Sequence, residues 1–144
     1  MLKAFALLAL LLLPSFARAD ACAEYEPAVT RLAGLIRPET YPGAPNYEST
    51  AKGDAPERVW ILRLRHPLCV HAKKDPLYEE ESQLSEIQLV LTRDQYLKYK
   101  NQRGKEVWAE GTLFHAHTGH HHADVLMTVS GIEDFNGNGP STKK

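Results

Sequence analysis

Very little in these 144 residues is in excess: cysteine, methionine and tryptophan occur twice each, and 17 Lys plus Arg face 18 Asp plus Glu. Counterion release needs clustered positive charge, and there is neither a cationic surplus nor a basic stripe interleaved with aromatics. Nucleic acid is therefore not an expected partner. Long apolar runs are missing too. The longest, Ala4 to Leu13, falls well short of the roughly 20 residues that a membrane-crossing helix requires, which argues against a transmembrane anchor. Equally absent are a nucleophile elbow, a phosphate-binding loop and a His-Glu-x-x-His helix, so the common hydrolase and nucleotide chemistries have no motif to rest on. The length leaves space for one small domain. A hydrophobic share of 43% with a charged share of 24% belongs to a folded chain rather than a disordered one.

What is present begins with an export signal. Met1-Leu2-Lys3 is a short positive start, Ala4 to Leu13 is uncharged and apolar, Pro14 breaks the run, and Ala17-Arg18-Ala19 is a small-x-small cleavage pattern. Residues 1–19 read as a signal peptide, 20–135 as a single domain, and 136–144 as a flexible, apolar-poor tail. A second pattern, Ala19-Asp20-Ala21, would cut just before Cys22; a lipid-modified cysteine would want Leu where Ala19 stands. Removing Lys3 and Arg18 leaves 15 basic against 18 acidic residues, a mildly acidic mature chain. The expected location is the periplasm or the exterior of a bacterium. In such an oxidising compartment Cys22 and Cys69 are expected to form a disulfide.

The order of elements follows from periodicity. Val29 to Glu39, with Gly34 inside it and Pro38 near its end, reads as a strand carrying a bulge or sharp coil. Tyr41 to Glu48 is dense in turn residues and reads as an ordered loop. Arg58 to Arg65 alternates, with Trp60, Leu62 and Leu64 on one face. Ala72 to Gln83, including Glu79-Glu80-Glu81, reads as a solvated loop, and Ile87, Leu89 and Leu91 mark a third strand. Thr92-Arg93-Asp94-Gln95 has capping-box form and opens a helix of about eleven residues that ends before Gly104. Strands over Lys105 to Phe114 and around Val125 to Val129 complete the set. Five strands with one helix between the third and fourth is the order of the OB-fold, a mainly β, five-stranded Greek-key barrel. A small sandwich with one helix is the competing architecture.

Four blocks also resemble a known family. Cys22 to Pro27 (C-A-E-Y-E-P), Tyr41 to Ser49 (Y-P-G-A-P-N-Y-E-S), Trp60-Ile61-Leu62 with Pro67-Leu68-Cys69-Val70, and Gly111 to His122 (G-T-L-F-H-A-H-T-G-H-H-H) are similar, in this order, to the exported bacterial family catalogued as domain of unknown function 4431. The resemblance implies an exported, periplasmic protein. It brings no catalytic residues and no cofactor.

Five of the seven histidines lie in His115-Ala116-His117-Thr118-Gly119-His120-His121-His122. On an extended strand His115 and His117 share a face, and Thr118-Gly119 can return His120, His121 and His122 opposite them. Three converging imidazoles suit Zn²⁺, Cu²⁺ or Ni²⁺, with Zn²⁺ or Cu²⁺ the candidate ligand, and leave a coordination position open, with Asp124 placed to orient one ring. If the fold is an OB-fold, this hairpin and the loop holding Tyr41, Asn46, Tyr47 and Glu48 flank one binding rim. Structural roles compete: the histidines as a hydrogen-bonded or pH-responsive hairpin, the tyrosine loop as a closing Ω-loop. His66 and His71 read as ordinary loop residues. Three functions remain: a non-enzymatic periplasmic binding module for Zn or Cu, an inhibitor or immunity protein docking an envelope enzyme, and, well behind, a small metal-dependent hydrolase.

Overall fold

The computed structural model describes residues 22–137; the expected signal peptide and the tail from residue 138 lie outside them. Alternating apolar side chains draw the backbone into five long strands. These are β2 (Val29–Pro42), β3 (Pro56–His71), β4 (Glu81–Val90), β5 (Glu106–His115) and β6 (Val125–Asp134), with a two-residue β1 (Ala23–Glu24) ahead of them. The chain is mainly β, as expected. β2 pairs antiparallel with β3 and β5, β5 with β6, and β3 with β4. A parallel pairing of Gln88–Val90 with Leu126–Thr128 joins β4 to β6 and closes the five strands into a ring. Parallel neighbours need a crossover rather than a hairpin, and here the crossover is the helix together with β5.

One face of every strand fills the ring. Ile36, Leu62, Ile87, Leu113 and Met127 are completely buried in a single cluster that also holds Trp60 and Leu89. Each such side chain contributes about 1.5–3 kcal/mol relative to exposure. Gly34 is expected at a bulge or a sharp coil of the strand; there is no register shift at it, and it lies where β2 passes from pairing with β5 to pairing with β3. The glycine is needed because a Cβ there would lie 2.3 Å from the Arg63 carbonyl oxygen. Register shifts fall in the β3–β4 ladder beyond Arg63 and, between β5 and β6, at Glu110/Gly111, where a Cβ on Gly111 would lie 2.1 Å from the Thr128 oxygen.

Helix α1 (Arg93–Lys98) begins with the expected box: Thr92 Oγ1 accepts from the Gln95 N–H, and the Thr92 N–H donates to Gln95 Oε1. It is shorter than expected. The backbone tightens at Tyr99, whose ring joins the core, and continues as a 3-10 turn over Lys100–Gln102. Cys22 and Cys69 form the expected disulfide, so β1 lies parallel to Val70–His71. The next residue, Tyr25, bridges to Leu113 and is buried. The N-terminal segment thereby crosses from β3 to β5.

The outward faces are mostly polar, with one exception. Register places Arg37, Ile61, Gln88, Leu126 and Phe114 side by side across β2, β3, β4, β6 and β5. Ile61 and Leu126 lie outside the interior cluster yet are completely buried, and Gln88 is buried beside them. Something must cover this outer row, and the cover is the His-rich loop.

Candidate functional site

β5 ends at His115 and β6 starts at Val125; the intervening segment is closed at its base by the Ala116 N–H donating to the Asp124 carbonyl, 2.8 Å. It lies over the outer row rather than extending into solvent. The Gln88 side chain donates to the His120 carbonyl, 3.0 Å, and its Oε1 accepts the His122 N–H, 2.6 Å. A buried amide whose donor and acceptor are both used specifies one placement of the loop, since an unmet buried polar group costs about 1–3 kcal/mol. Phe114 packs against the rings of His117 and His121.

Each histidine then has a distinct position. The Glu57 carboxylate accepts from His120 Nδ1, 2.7 Å, and from His122 Nε2, 3.0 Å. Burial opposes ionisation of Glu57, but hydrogen bonds from His122 and His120 and their charges outweigh it and hold the carboxyl below its ordinary value. His122 stacks on Tyr41, ring centroids 4.3 Å apart, and His120 Nε2 meets the Tyr47 hydroxyl at 2.9 Å. His121 Nδ1 accepts the N–H groups of His117, 2.9 Å, and Thr118, 3.3 Å. His117 Nδ1 donates to the His115 carbonyl. His115 points elsewhere: Nε2 meets Glu81 Oε1 at 3.0 Å, and Nδ1 meets the Ala116 carbonyl at 3.1 Å.

The tyrosine loop is built around Asp54. Its buried carboxylate accepts from the N–H groups of Asn46, Glu48 and Ser49 and from the Asn46 amide. Those backbone hydrogen bonds hold the Asp54 carboxyl below its ordinary value. They also support Tyr47 at φ 59°, a left-handed conformation that costs a tyrosine about 1–2 kcal/mol. Gly119 packs flat against the Tyr47 ring, where a Cβ would come within 3.0 Å. Tyr41, Tyr47, His120 and His122 thus meet around Glu57. Asn46 serves the loop through its backbone and its side-chain amide, and Glu48 through its backbone.

The imidazoles do not gather at one point. Among the described residues, the set of three donors lying within 4.8 Å of one another is Glu79, Glu81 and His115. Only His115 of the five histidines takes part. Glu81 is not in a solvated loop but opens β4, half-buried against His115. Tyr25 lies beneath, its hydroxyl donating to the Glu79 carbonyl at 2.8 Å. Burial, then the charges of Glu81, Glu79 and Asp124, push the Tyr25 hydroxyl up to about 12. The carboxylates thus make a negative patch around Tyr25. A depression of about 350 Å³ runs from Glu81 to Glu86 along the far side, facing His122 and Asp124.

The His-rich loop and the strands that carry it lie in one segment. Residues 86–133 match the model of a family described as Domain of unknown function (DUF4431). The family suggested by the sequence blocks is the family matched. The DUF4431 segment is about a third of the chain, and it runs from within β4 through α1 and the His-rich loop to β6. It contains His115 and Gln88, whereas Glu57, Glu79, Glu81 and the tyrosine loop come from outside it. No curated protein matches the chain. Among the described residues no helix is long and apolar enough to cross a membrane.

Sequence reasoning missed Glu57 and Glu81. Neither has a local signature: they meet their histidines across sequence separations of 63, 65 and 34 residues. Asp124, expected to orient a ring, instead closes the loop through its backbone carbonyl and adds its charge near Tyr25.

Proposed function

We propose that this protein is an exported, non-enzymatic binding module of the OB type that holds Zn²⁺ or Cu²⁺ at Glu79, Glu81 and His115. The observation that carries the reading is the approach of two carboxylates and one imidazole to within 4.8 Å. Donors around a tetrahedral Zn²⁺ sit roughly 3.3 Å apart. The His115–Glu81 pair is already near that spacing at 3.0 Å, and exposed Glu79 is free to swing inward. Three protein ligands leave a fourth position for water or a ligand. Nδ1 of His115, facing the Ala116 carbonyl, fixes the ring so that Nε2 addresses the cation.

The OB assignment is supported by the closed ring of five long strands and by the helix between the third and fourth of them. Export is supported by the Cys22–Cys69 disulfide, which suits an oxidising compartment. Binding rather than catalysis is supported by the rim imidazoles, because His120, His121 and His122 are committed to Glu57 and to backbone groups. A second reading, docking of an envelope protein, is favoured by the exposed apex His117 to His120 above the rim.

Isothermal titration of tag-free, chelator-stripped protein with Zn²⁺ and Cu²⁺ tests the metal reading. One-to-one, sub-micromolar binding is expected. It should be lost in Glu81→Ala/His115→Ala and kept in His117→Ala/His120→Ala. Loss only in the latter variant, or no binding at all, overturns the donor set. A partner captured from envelope extract irrespective of chelator would establish the docking reading instead.

A further inference from the structure

A second feature lies away from the His-rich loop, where α1 and the 3-10 turn meet β3. A cavity of about 440 Å³ is lined by Arg58 and Trp60 from β3, Tyr96 and Leu97 from α1, and Lys100 and Arg103. A neighbouring depression of about 260 Å³ shares Arg58, Trp60 and Arg103 and extends along Pro38, Glu39 and Thr40 of β2. Trp60 and Tyr96 meet edge to face, ring centroids 5.1 Å apart, and form an aromatic wall. Leu97, one of the few large aliphatic side chains left in solvent, is 63% exposed beside it.

The charge around this wall is what singles it out. Arg31, Arg37, Arg63 and Arg65, the other strand arginines, each lie 2.6–3.9 Å from a glutamate. Arg58, Lys100 and Arg103 have no acidic partner among the described residues. Arg103 is nevertheless held in place, because its Nε donates to the Lys100 carbonyl at 2.8 Å and leaves its terminal nitrogens open. The acids nearby are already engaged. Glu39 is bound by the Tyr41 hydroxyl at 2.9 Å and lies 3.9 Å from Arg37, while Glu57 is taken by His120 and His122. What sets these three cations apart is convergence: β3, α1 and the 3-10 turn bring Arg58, Lys100 and Arg103 to one opening around an aromatic wall. Sites for small molecules combine an apolar lining with a few convergent polar groups.

We infer that this cavity binds an anionic amphiphile: a carboxylate, phosphate or sulfonate joined to an aromatic or short aliphatic body. The anion meets Arg58, Lys100 and Arg103, with the guanidinium groups offering paired donors, and the apolar body lies against Trp60, Tyr96 and Leu97.

Trp60 reports on its own site once Trp108, the other tryptophan, is replaced by Phe. Full-length, disulfide-bonded Trp108→Phe protein is titrated with decanoate, 1-decanol and inorganic phosphate, following Trp60 emission. Isothermal titration of the unaltered chain is run alongside. Decanoate should produce a saturable change in emission, while decanol and phosphate bind more weakly by about tenfold or more, since each lacks half of the recognised chemistry. Arg58→Glu/Arg103→Glu should weaken decanoate by a similar factor with an unchanged melting temperature. If that variant does not fold, Arg58→Gln at its exposed position serves in its place. No saturable change, equal binding of decanol, or equal binding by the arginine variants overturns the inference.

Discussion

At His121 a single ring nitrogen accepts two backbone N–H groups, an arrangement open only to the neutral imidazole. Burial first, then the charges of His117, His120 and His122, lower its pKa from 6.5. A group whose folded pKa is depressed stabilises fully above its unfolded pKa, and that stabilisation is lost as pH falls through the folded value. The His-rich loop therefore loosens as pH drops below 6.5. Glu57 is depressed as well, so its hold on His120 and His122 persists to lower pH and fails only below the ordinary glutamate value of 4.5. Two separate steps are expected. Amide hydrogen exchange, corrected for intrinsic rates, should show His117 and Thr118 losing protection as pH falls from 6.5 toward the acid limit of folding. Unchanged protection over that range would contradict the role of His121.

Among the elements, the strands carry more of the specification than the helix. Gly111 sits at the register shift in β5, and Ala there would press its Cβ against the Thr128 carbonyl and the Met127 side chain. Gly111→Ala should cost about 2–3 kcal/mol in urea unfolding. Gly131, also at that shift, has nothing within 4 Å of its missing Cβ, so Gly131→Ala should be nearly neutral. Equal effects at the two positions would refute the close-approach argument. Alternation made β3 and β5 readable in the sequence, and the capping box marked the start of α1. The short β1 was not readable, because two residues carry no periodicity and pair only where the disulfide holds them. The rim was anticipated from the clustering of Tyr41, Tyr47 and the histidines. Its organising acids were not, because Glu57 and Glu81 acquire meaning only through pairing between distant strands. Nor does the His-rich sequence reveal that it covers a buried row on the outer face; Gln88 and Ile61 look like ordinary strand residues until register places them together.

For the whole molecule, two constraints hold the proposed metal donors together. The disulfide, spanning 47 residues, fixes the segment that places Tyr25 under Glu79 and His115. Cys22→Ser/Cys69→Ser should lower stability by about 4 kcal/mol, read by urea unfolding. A loss below about 1 kcal/mol would show the segment to be held by other contacts. The closed ring supplies the second constraint, since β4 and β5 bring Glu81 and His115 to neighbouring positions although no ladder joins those two strands. The most direct measurement is X-ray absorption at the zinc edge of the protein loaded with one equivalent of Zn²⁺. The account predicts a first shell of oxygen and nitrogen only, with the multiple-scattering signature of a single imidazole, lost in His115→Ala. A shell with two or more imidazoles, or one unaffected by His115→Ala, would contradict it.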